Sequence, residues 1–325
     1  MSRLSLFLAL GLIATIVLSL LLGSVPLPLD RVLSALAFQA SVGDQLVVWD
    51  IRLPRSLAAA LVGAALGMSG AALQGLLRNP LAEPGILGVS ATAALFASCT
   101  LYFGLTSSVP FALPLAAVAG ALVATLVVAA AALRTQSVVT LILIGVGLSS
   151  FSAALMALLM NLAPNPFSLA DMVNWMLGTV ANRSMEDLLL AAPFALAGMM
   201  VLFVSRRGLA ALALGEETAA GLGLDLTKQR LAIILGAGLA TGAAVALAGA
   251  IGFVGIVAPH LVRPLVRYDA SRLLVPSALL GALLLVLADI GVRVLPTDFE
   301  MKLGVVASLI GAPIFIWIAA RRRLA

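Results

Sequence analysis

Ten apolar runs, separated by short polar connections, decide what this sequence can fold into. A helix needs about 20 apolar residues to cross the hydrocarbon core of a bilayer, and ten such segments account for most of the 325 residues. The pattern predicts an all-α polytopic membrane protein with about ten transmembrane helices in a single domain over 1–325. The runs lie near 4–22, 56–77, 87–104, 111–133, 138–162, 187–205, 231–249, 251–266, 274–292 and 303–320.

Composition excludes the main alternatives to a membrane protein. Only 10% of the residues are charged and 62% are hydrophobic, whereas a soluble domain carries roughly 25% charged residues. The formal charge of +5 is spread singly and in small groups between apolar runs, so it indicates orientation in the bilayer and not nucleic-acid binding. Cys99 is the only cysteine, which excludes an internal disulfide and a cysteine-rich metal or redox site.

The 19 lysines and arginines predict how the chain lies in the membrane. The first run follows Arg3 and is not succeeded by a small-x-small cleavage site, so we interpret it as an uncleaved span. With a cytoplasmic N-terminus, thirteen basic residues fall inside and six outside, as the positive-inside rule requires, and an even span count returns the C-terminus to the cytoplasm. The six outer residues are Arg31, Arg52, Arg55, Arg183, Arg293 and Lys302.

A short sequence echo suggests internal symmetry. The segment 69–72 (Ser-Gly-Ala-Ala) in the second run resembles 241–244 (Thr-Gly-Ala-Ala) in the seventh. Five spans separate them, so they would cross in opposite directions, as inverted-topology repeats do. Close helix packing by small residues is an equally good explanation.

The longest polar interruption, 206–230, predicts one or two short cytoplasmic helices punctuated by glycine. Such helices can fit a cleft in another subunit and transmit its movement, although a solvated connector would have the same composition. The chain has no phosphate-binding loop, because neither Lys228 nor Lys302 follows a glycine in the required pattern. If ATP drives transport, a partner must bind it.

Two ionisable residues lie in apolar surroundings. Asp289 is a functional candidate by default, because a carboxylate is costly to bury in a membrane. It could relay protons, but Arg293 lies one helical turn away and favours an ion pair or an interfacial position. The lone His260 follows Pro259, where we expect a helix break, and it predicts a structural or gating role because one histidine does not form a metal site.

Several motifs together carry a family resemblance. From about Trp49 to the C-terminus the chain resembles the FecCD-type permeases of iron-chelate and vitamin B12 importers of the ATP-binding-cassette (ABC) class. The motifs are long and keep their order. They are 52–55 (Arg-Leu-Pro-Arg), 62–70 (Val-Gly-Ala-Ala-Leu-Gly-Met-Ser-Gly), 78–88 (beginning Arg-Asn-Pro-Leu-Ala-Glu-Pro-Gly), 213–224, 252–260 (Gly-Phe-Val-Gly-Ile-Val-Ala-Pro-His) with Arg263, and 311–315 (Gly-Ala-Pro-Ile-Phe).

The resemblance implies a type II ABC importer permease fold in the bacterial inner membrane, surrounded by lipid. It implies a second permease protomer, identical or related, two cytoplasmic ATPase subunits that bind the ATP and magnesium, and a periplasmic substrate-binding protein. It also implies roles for individual residues. These are ATPase coupling by Gly215, Glu216, Glu217, Ala219, Leu222 and Gly223, gating by Asn79, Leu81, Val138 and Val139, and binding-protein docking by Arg52, Arg55 and Arg293.

The cargo expected from the resemblance is a bulky metal chelate, first a ferric siderophore, with haem or cobalamin as alternatives. No cofactor, catalytic residue or nucleic-acid partner is expected in this chain. The family's usual Glu-Leu-Pro-x-Gly before the last span is replaced here by Glu300-Met301-Lys302-Leu303-Gly304, so the local turn stays open. The rival functions are a proton- or sodium-driven secondary transporter using Asp289, and a channel or scaffold.

Overall fold

The computed structural model describes residues 2–23, 25–109, 111–135, 137–295 and 300–321, and within them the ordered elements are all helical. A π-helical segment, Leu46–Arg52, and two 3-10 turns, Pro84–Leu87 and Leu105–Ser107, interrupt the α-helices. The α-helices are α1 (Arg3–Leu21), α2 (Leu29–Leu36), α3 (Val42–Gln45), α4 (Leu53–Leu76), α5 (Val89–Tyr102), α6 (Ala112–Arg134), α7 (Val138–Asn161), α8 (Pro166–Met176), α9 (Met185–Val204), α10 (Arg206–Ala213), α11 (Glu216–Gly221), α12 (Leu226–Ala248), α13 (Val254–Val262), α14 (Ala270–Val294) and α15 (Leu303–Arg321).

Each of the ten predicted runs contains one of these helices. Among the described residues, seven helices are long and apolar enough to cross a membrane, namely α1, α4 with the residues from Val42, α6, α7, α9, α12 and α14. Helix α5, and α15 over Leu303–Ile316, are shorter apolar helices. Helix α13 has nine residues, or about 14 Å at 1.5 Å per residue, so it is shorter than its run and does not cross a bilayer alone.

The core of the bundle is an antiparallel contact between α4 and α14 in which backbones nearly touch. A Cβ atom at Gly63 would overlap the carbonyl group of Gly281, and one at Gly67 would overlap the carbonyl oxygen of Ser277. Without a hydrophobic drive in lipid, helices associate through this kind of close approach. The small residues of motif 62–70 therefore serve packing.

Helix α12 is the second centre of packing and lies against α4, α6 and α9. A Cβ atom at Gly242 would clash with the Ala121 side chain, and one at Gly238 would clash with Thr125. Gly242 belongs to the segment that echoes 69–72, and α12 runs opposite to α4. The echoed glycines, Gly70 and Gly242, both lie where two helices touch.

The predicted helix break at Pro259-His260 is wrong, because Pro259 lies inside α13. Proline has no N–H to donate, so its presence leaves the carbonyl group of Gly255, four residues earlier, without its helical partner. The Gln74 side chain of α4 donates to that carbonyl oxygen at 3.2 Å. A neighbouring helix thus satisfies the freed group, and the irregular backbone lies instead at 249–253, before α13 begins.

Candidate functional site

The predicted site residues lie at two opposite ends of the bundle. The coupling segment, which we define as residues 206–230, lies beside the last turn of α4 and the first turn of α12, and we call this the coupling end. Arg52, Arg55 and Arg293 lie at the other end, where α4 begins and α14 finishes, and we call this the arginine end.

The sequence predicted one or two short helices in the coupling segment, and the structure has two, α10 and α11. Gly215 precedes α11 with φ 112°, and Gly223 lies two residues beyond it with φ 86°. Residues with a side chain rarely adopt these conformations, and the one at Gly215 (ψ 149°) is nearly restricted to glycine. Glycine therefore sets the direction in which the chain enters and leaves α11.

Buried contacts hold the coupling segment against the bundle. The Arg230 side chain is only 2% exposed, and its Nη2 lies 2.8 Å from Oε1 of Glu216. Ala219 is fully buried in the hydrophobic core. The Gln229 amide donates to the Ser205 carbonyl oxygen at 2.8 Å. Glu216 and Ala219, two of the predicted coupling residues, thus face the permease itself.

The outward surface of the coupling segment carries the other predicted residues. Leu222 is 69% exposed, Leu214 on the other side of α11 is 65% exposed, and Glu217 lies between them in an exposed position. Asp225, the N-cap residue of α12, lies nearby. Its carboxyl group accepts a hydrogen bond from the Lys228 backbone N–H, which lowers its pKa, so Asp225 is ionised at neutral pH. The arrangement presents two apolar side chains on a firmly anchored support.

The turn 77–83 after α4, which we call the gate turn, carries Asn79 and Leu81. Its backbone reverses at Arg78, which has φ 47°, and the Asn79 Oδ1 accepts from the Leu81 backbone N–H at 3.0 Å. Leu81 is exposed. In the first turn of α7, Val139 is exposed while Val138 is partly buried against the core. The gating role of these four residues stays a prediction.

The arginine end holds five charged side chains in one group, the arginine cluster, of which all but Glu300 are largely buried. It comprises Arg52, Arg55, Asp289, Arg293 and Glu300. Asp289, which is fully buried, accepts from Arg55 Nη2 at 2.7 Å and lies 3.1 Å from Arg293 Nε. The ion pair with Arg293 that helical spacing predicted is therefore confirmed, and Arg55 is a second partner.

The remaining contacts of the cluster also point inward. Arg55 donates to the Glu300 carboxylate. Arg52 donates to the carbonyl oxygens of Leu20, at 2.6 Å, and Val25. Arg293 donates to the carbonyl and hydroxyl oxygens of Ser19. A cavity of about 830 Å³ opens beside these arginines. The three predicted docking residues are thus brought together, but their guanidinium groups are already paired within the chain.

Sequence reasoning missed Glu300 as a partner of Arg55, because 245 positions separate them and no local spacing links them. Gly304, the last residue of the substituted motif that begins at Glu300, makes two close contacts. A Cβ atom at Gly304 would overlap the Leu177 carbonyl oxygen, and the Gly304 N–H donates to the Gly178 carbonyl oxygen at 3.1 Å. Contacts of Gly304 therefore hold the chain where it enters α15. Among the described residues, no three His, Cys, Asp or Glu side chains gather as metal ligands would.

Comparison with known proteins gives consistent matches over almost the whole chain. The model of the FecCD transport family matches residues 11–321. The uncharacterized ABC transporter permease YvrB of Bacillus subtilis is 40% identical over 324 residues, 96% of this chain and 91% of that protein. The vitamin B12 import system permease BtuC of Vibrio cholerae is 43% identical over 86% of this chain and 84% of its own length.

A solved structure has the same fold. It is described as an inward-facing conformation of an ABC transporter of metal-chelate type. The TM-score is 0.88 with 32% sequence identity, over 99% of this chain and 100% of that chain.

Proposed function

Because this chain belongs to the FecCD transport family and is a permease of an ABC importer, we propose that it forms the membrane path for a bulky metal chelate. ATP is bound and hydrolysed by two separate cytoplasmic subunits, a second permease protomer completes the path, and a periplasmic protein delivers the cargo. The N- and C-termini are cytoplasmic in this arrangement, which agrees with the positive-inside count. The coupling segment is the observation that carries this proposal.

The coupling segment has the properties that a subunit contact requires. Exposed Leu214 and Leu222 are apolar side chains at the membrane surface, while Glu216 and Ala219 hold the same segment against α12 and the core. A few well-packed residues supply most of the energy of a protein interface, and two exposed leucines on a fixed backbone are suited to fill pockets in a partner. A solvated connector, the alternative for this segment, would not need an ion pair to a buried arginine to hold α11 against α12.

Vitamin B12 is the first cargo to test, because BtuC relatives at 40–43% identity carry that name. Ferric siderophores and haem are the other chelates in the series. We expect ATP-dependent uptake of one of them by vesicles that contain the permease, the ATPase and the binding protein. The double variant Leu214→Ala/Leu222→Ala should lose at least about tenfold of that uptake and of ATPase copurification, as expected when two apolar interface anchors are removed.

Leu33→Ala provides the matched control, since Leu33 is an equally exposed leucine on α2, near the arginine end. It should leave ATPase copurification unchanged. Parental uptake and ATPase retention by the double variant would assign the coupling segment to a connector role. Uptake by the permease alone, driven by a proton gradient, would instead establish the secondary-transporter function.

We further propose that the arginine cluster receives an acidic side chain of the binding protein. The Arg55 guanidinium already forms an ion pair with Glu300, whose side chain is 42% exposed. A carboxylate of the binding protein therefore has to replace Glu300 to pair with Arg55. Removing the competing charge with Glu300→Gln should therefore speed association of the binding protein several-fold and steepen its salt dependence, because charge complementarity acts mainly on the association rate. Surface plasmon resonance at two salt concentrations measures both.

Glu186→Gln is the control for this test, since Glu186 is an exposed acid at the start of α9 outside the arginine cluster. It removes the same charge without freeing Arg55. Equal association rates for Glu300→Gln, Glu186→Gln and the parent would show that the arginines serve the fold alone.

A further inference from the structure

The coupling segment and the gate turn meet directly, although more than 120 residues separate them in sequence. Helix α10 lies against the last turn of α4, where a Cβ atom at Gly75 would come within 3.0 Å of the Leu209 side chain. Three residues later, Arg78 Nη2 donates to the Leu212 carbonyl oxygen at 3.0 Å. One apolar contact and one polar contact therefore join α10 to the chain that leads into the gate turn.

The geometry of Arg78 suits it to this link. Leu212 lies in the last turn of α10, where its carbonyl oxygen accepts from the Gly215 N–H at 3.1 Å and has room for a second donor. The helix dipole is negative at this end, so a guanidinium is a favourable second donor. The Arg78 backbone is left-handed, with φ 47°, and it begins the reversal that presents Asn79 and Leu81. The side chain is thus fixed to α10 while the backbone sets the course of the gate turn.

We propose that Arg78 is a positioning residue that makes the gate turn follow the movement of the coupling segment. This inference rests on the proposed function, in which the ATPase subunits move that segment. When α10 shifts, the bond to Leu212 and the Gly75–Leu209 contact carry the turn with it, so exposure of Leu81 changes with the nucleotide state of the ATPase. No other charged side chain is needed for the connection.

Labelling of a cysteine at the gate tests the link in the assembled complex. A Leu81→Cys permease in a Cys99→Ser background is reacted with a maleimide in nucleotide-free, ATP-bound and ADP-bound states. We expect its labelling rate to depend on nucleotide, and Arg78→Ala to abolish that dependence. Transport per ATP hydrolysed should fall about tenfold, which is the lower end of the effect of one hydrogen bond to a charged group. Arg78→Lys, which keeps a donor, should restore part of both.

Arg267→Ala removes the same charge from another exposed residue with a left-handed backbone, φ 54°, outside the coupling segment and the gate turn, and should leave labelling and coupling unchanged. Nucleotide-dependent labelling that persists in Arg78→Ala would overturn the inference and leave the proposed function intact. If labelling is independent of nucleotide even with Arg78 present, the proposed function and the inference fail together. Copurification of the ATPase, measured on every variant, shows that a loss of coupling is not a loss of assembly.

Discussion

Gly70→Ala should prevent stable assembly of the helical core. A Cβ atom at this position would overlap the backbone carbonyl group of Gly255, and the backbones of α4 and α13 have no flexible side chain there that could yield. The same carbonyl oxygen accepts from Gln74, so moving α13 away would also leave that group unsatisfied. Overpacking of a tight core costs about 1–3 kcal/mol of stability. We expect the loss from Gly70→Ala to lie at the upper end of this range or above it, because the added atom meets backbone. The thermal midpoint of the purified permease in detergent measures the loss.

Gly147→Ala is the matched control, because Gly147 lies inside α7 and nothing would lie within 4 Å of its added Cβ atom. Helix propensity alone predicts a small stabilisation from this change. Equal thermal midpoints for Gly70→Ala and Gly147→Ala would contradict the close backbone contact.

Asp289→Asn should cost about 3–5 kcal/mol of stability, the range found when one partner of a buried ion pair is removed. The substitution leaves Arg55 and Arg293, both largely buried, facing each other with only the partly exposed Glu300 as a counter-charge. The double variant Asp289→Leu/Arg55→Met should be less damaging than the sum of its single changes, because it removes the opposite charges together. A double-mutant cycle on thermal midpoints gives this coupling directly.

The comparison for Asp289 is Asp44→Asn. Asp44, whose side chain is 10% exposed, pairs with Arg31, whose side chain is 52% exposed. Removing this carboxylate leaves an arginine that water can solvate, so we expect a loss of about 1 kcal/mol. A small effect at Asp289, combined with loss of proton-driven uptake, would assign this carboxylate to energy coupling and support the secondary-transporter alternative.

Much of the fold could be predicted from the sequence because apolar runs and their breaks are local properties. The all-helical bundle and the short helices of the coupling segment followed from such patterns. The course of α13 did not, since the effect of Pro259 depends on whether another helix can satisfy Gly255. Gln74, which does so, lies 181 residues away from that carbonyl group.

The sequence predicted where the candidate site residues lie better than it predicted which residues they contact. Charge asymmetry placed Arg52, Arg55 and Arg293 on one side of the membrane, and the structure gathers them at one end of the bundle. The burial of Arg55 could not be anticipated, because it depends on Asp289 and Glu300 arriving from the other half of the chain. The pairing of Glu216 with Arg230 was hidden for a related reason: nothing in the sequence distinguishes Glu216, which faces inward, from Glu217, which faces outward.

The glycine contacts between α4 and α14 limit how this molecule can change shape. Backbones that touch have no rotamers to exchange, so this interface cannot slide by small repacking steps, and the two helices behave as a fixed frame. Helix α7 is buried in the protomer only at Leu141, Gly145 and Ser152, yet it meets the turn Pro84–Leu87 in the same way, since a Cβ atom at Gly145 would overlap the Ile86 carbonyl oxygen. Any alternation between outward and inward access would therefore have to keep these backbone contacts and move other parts of the bundle against them.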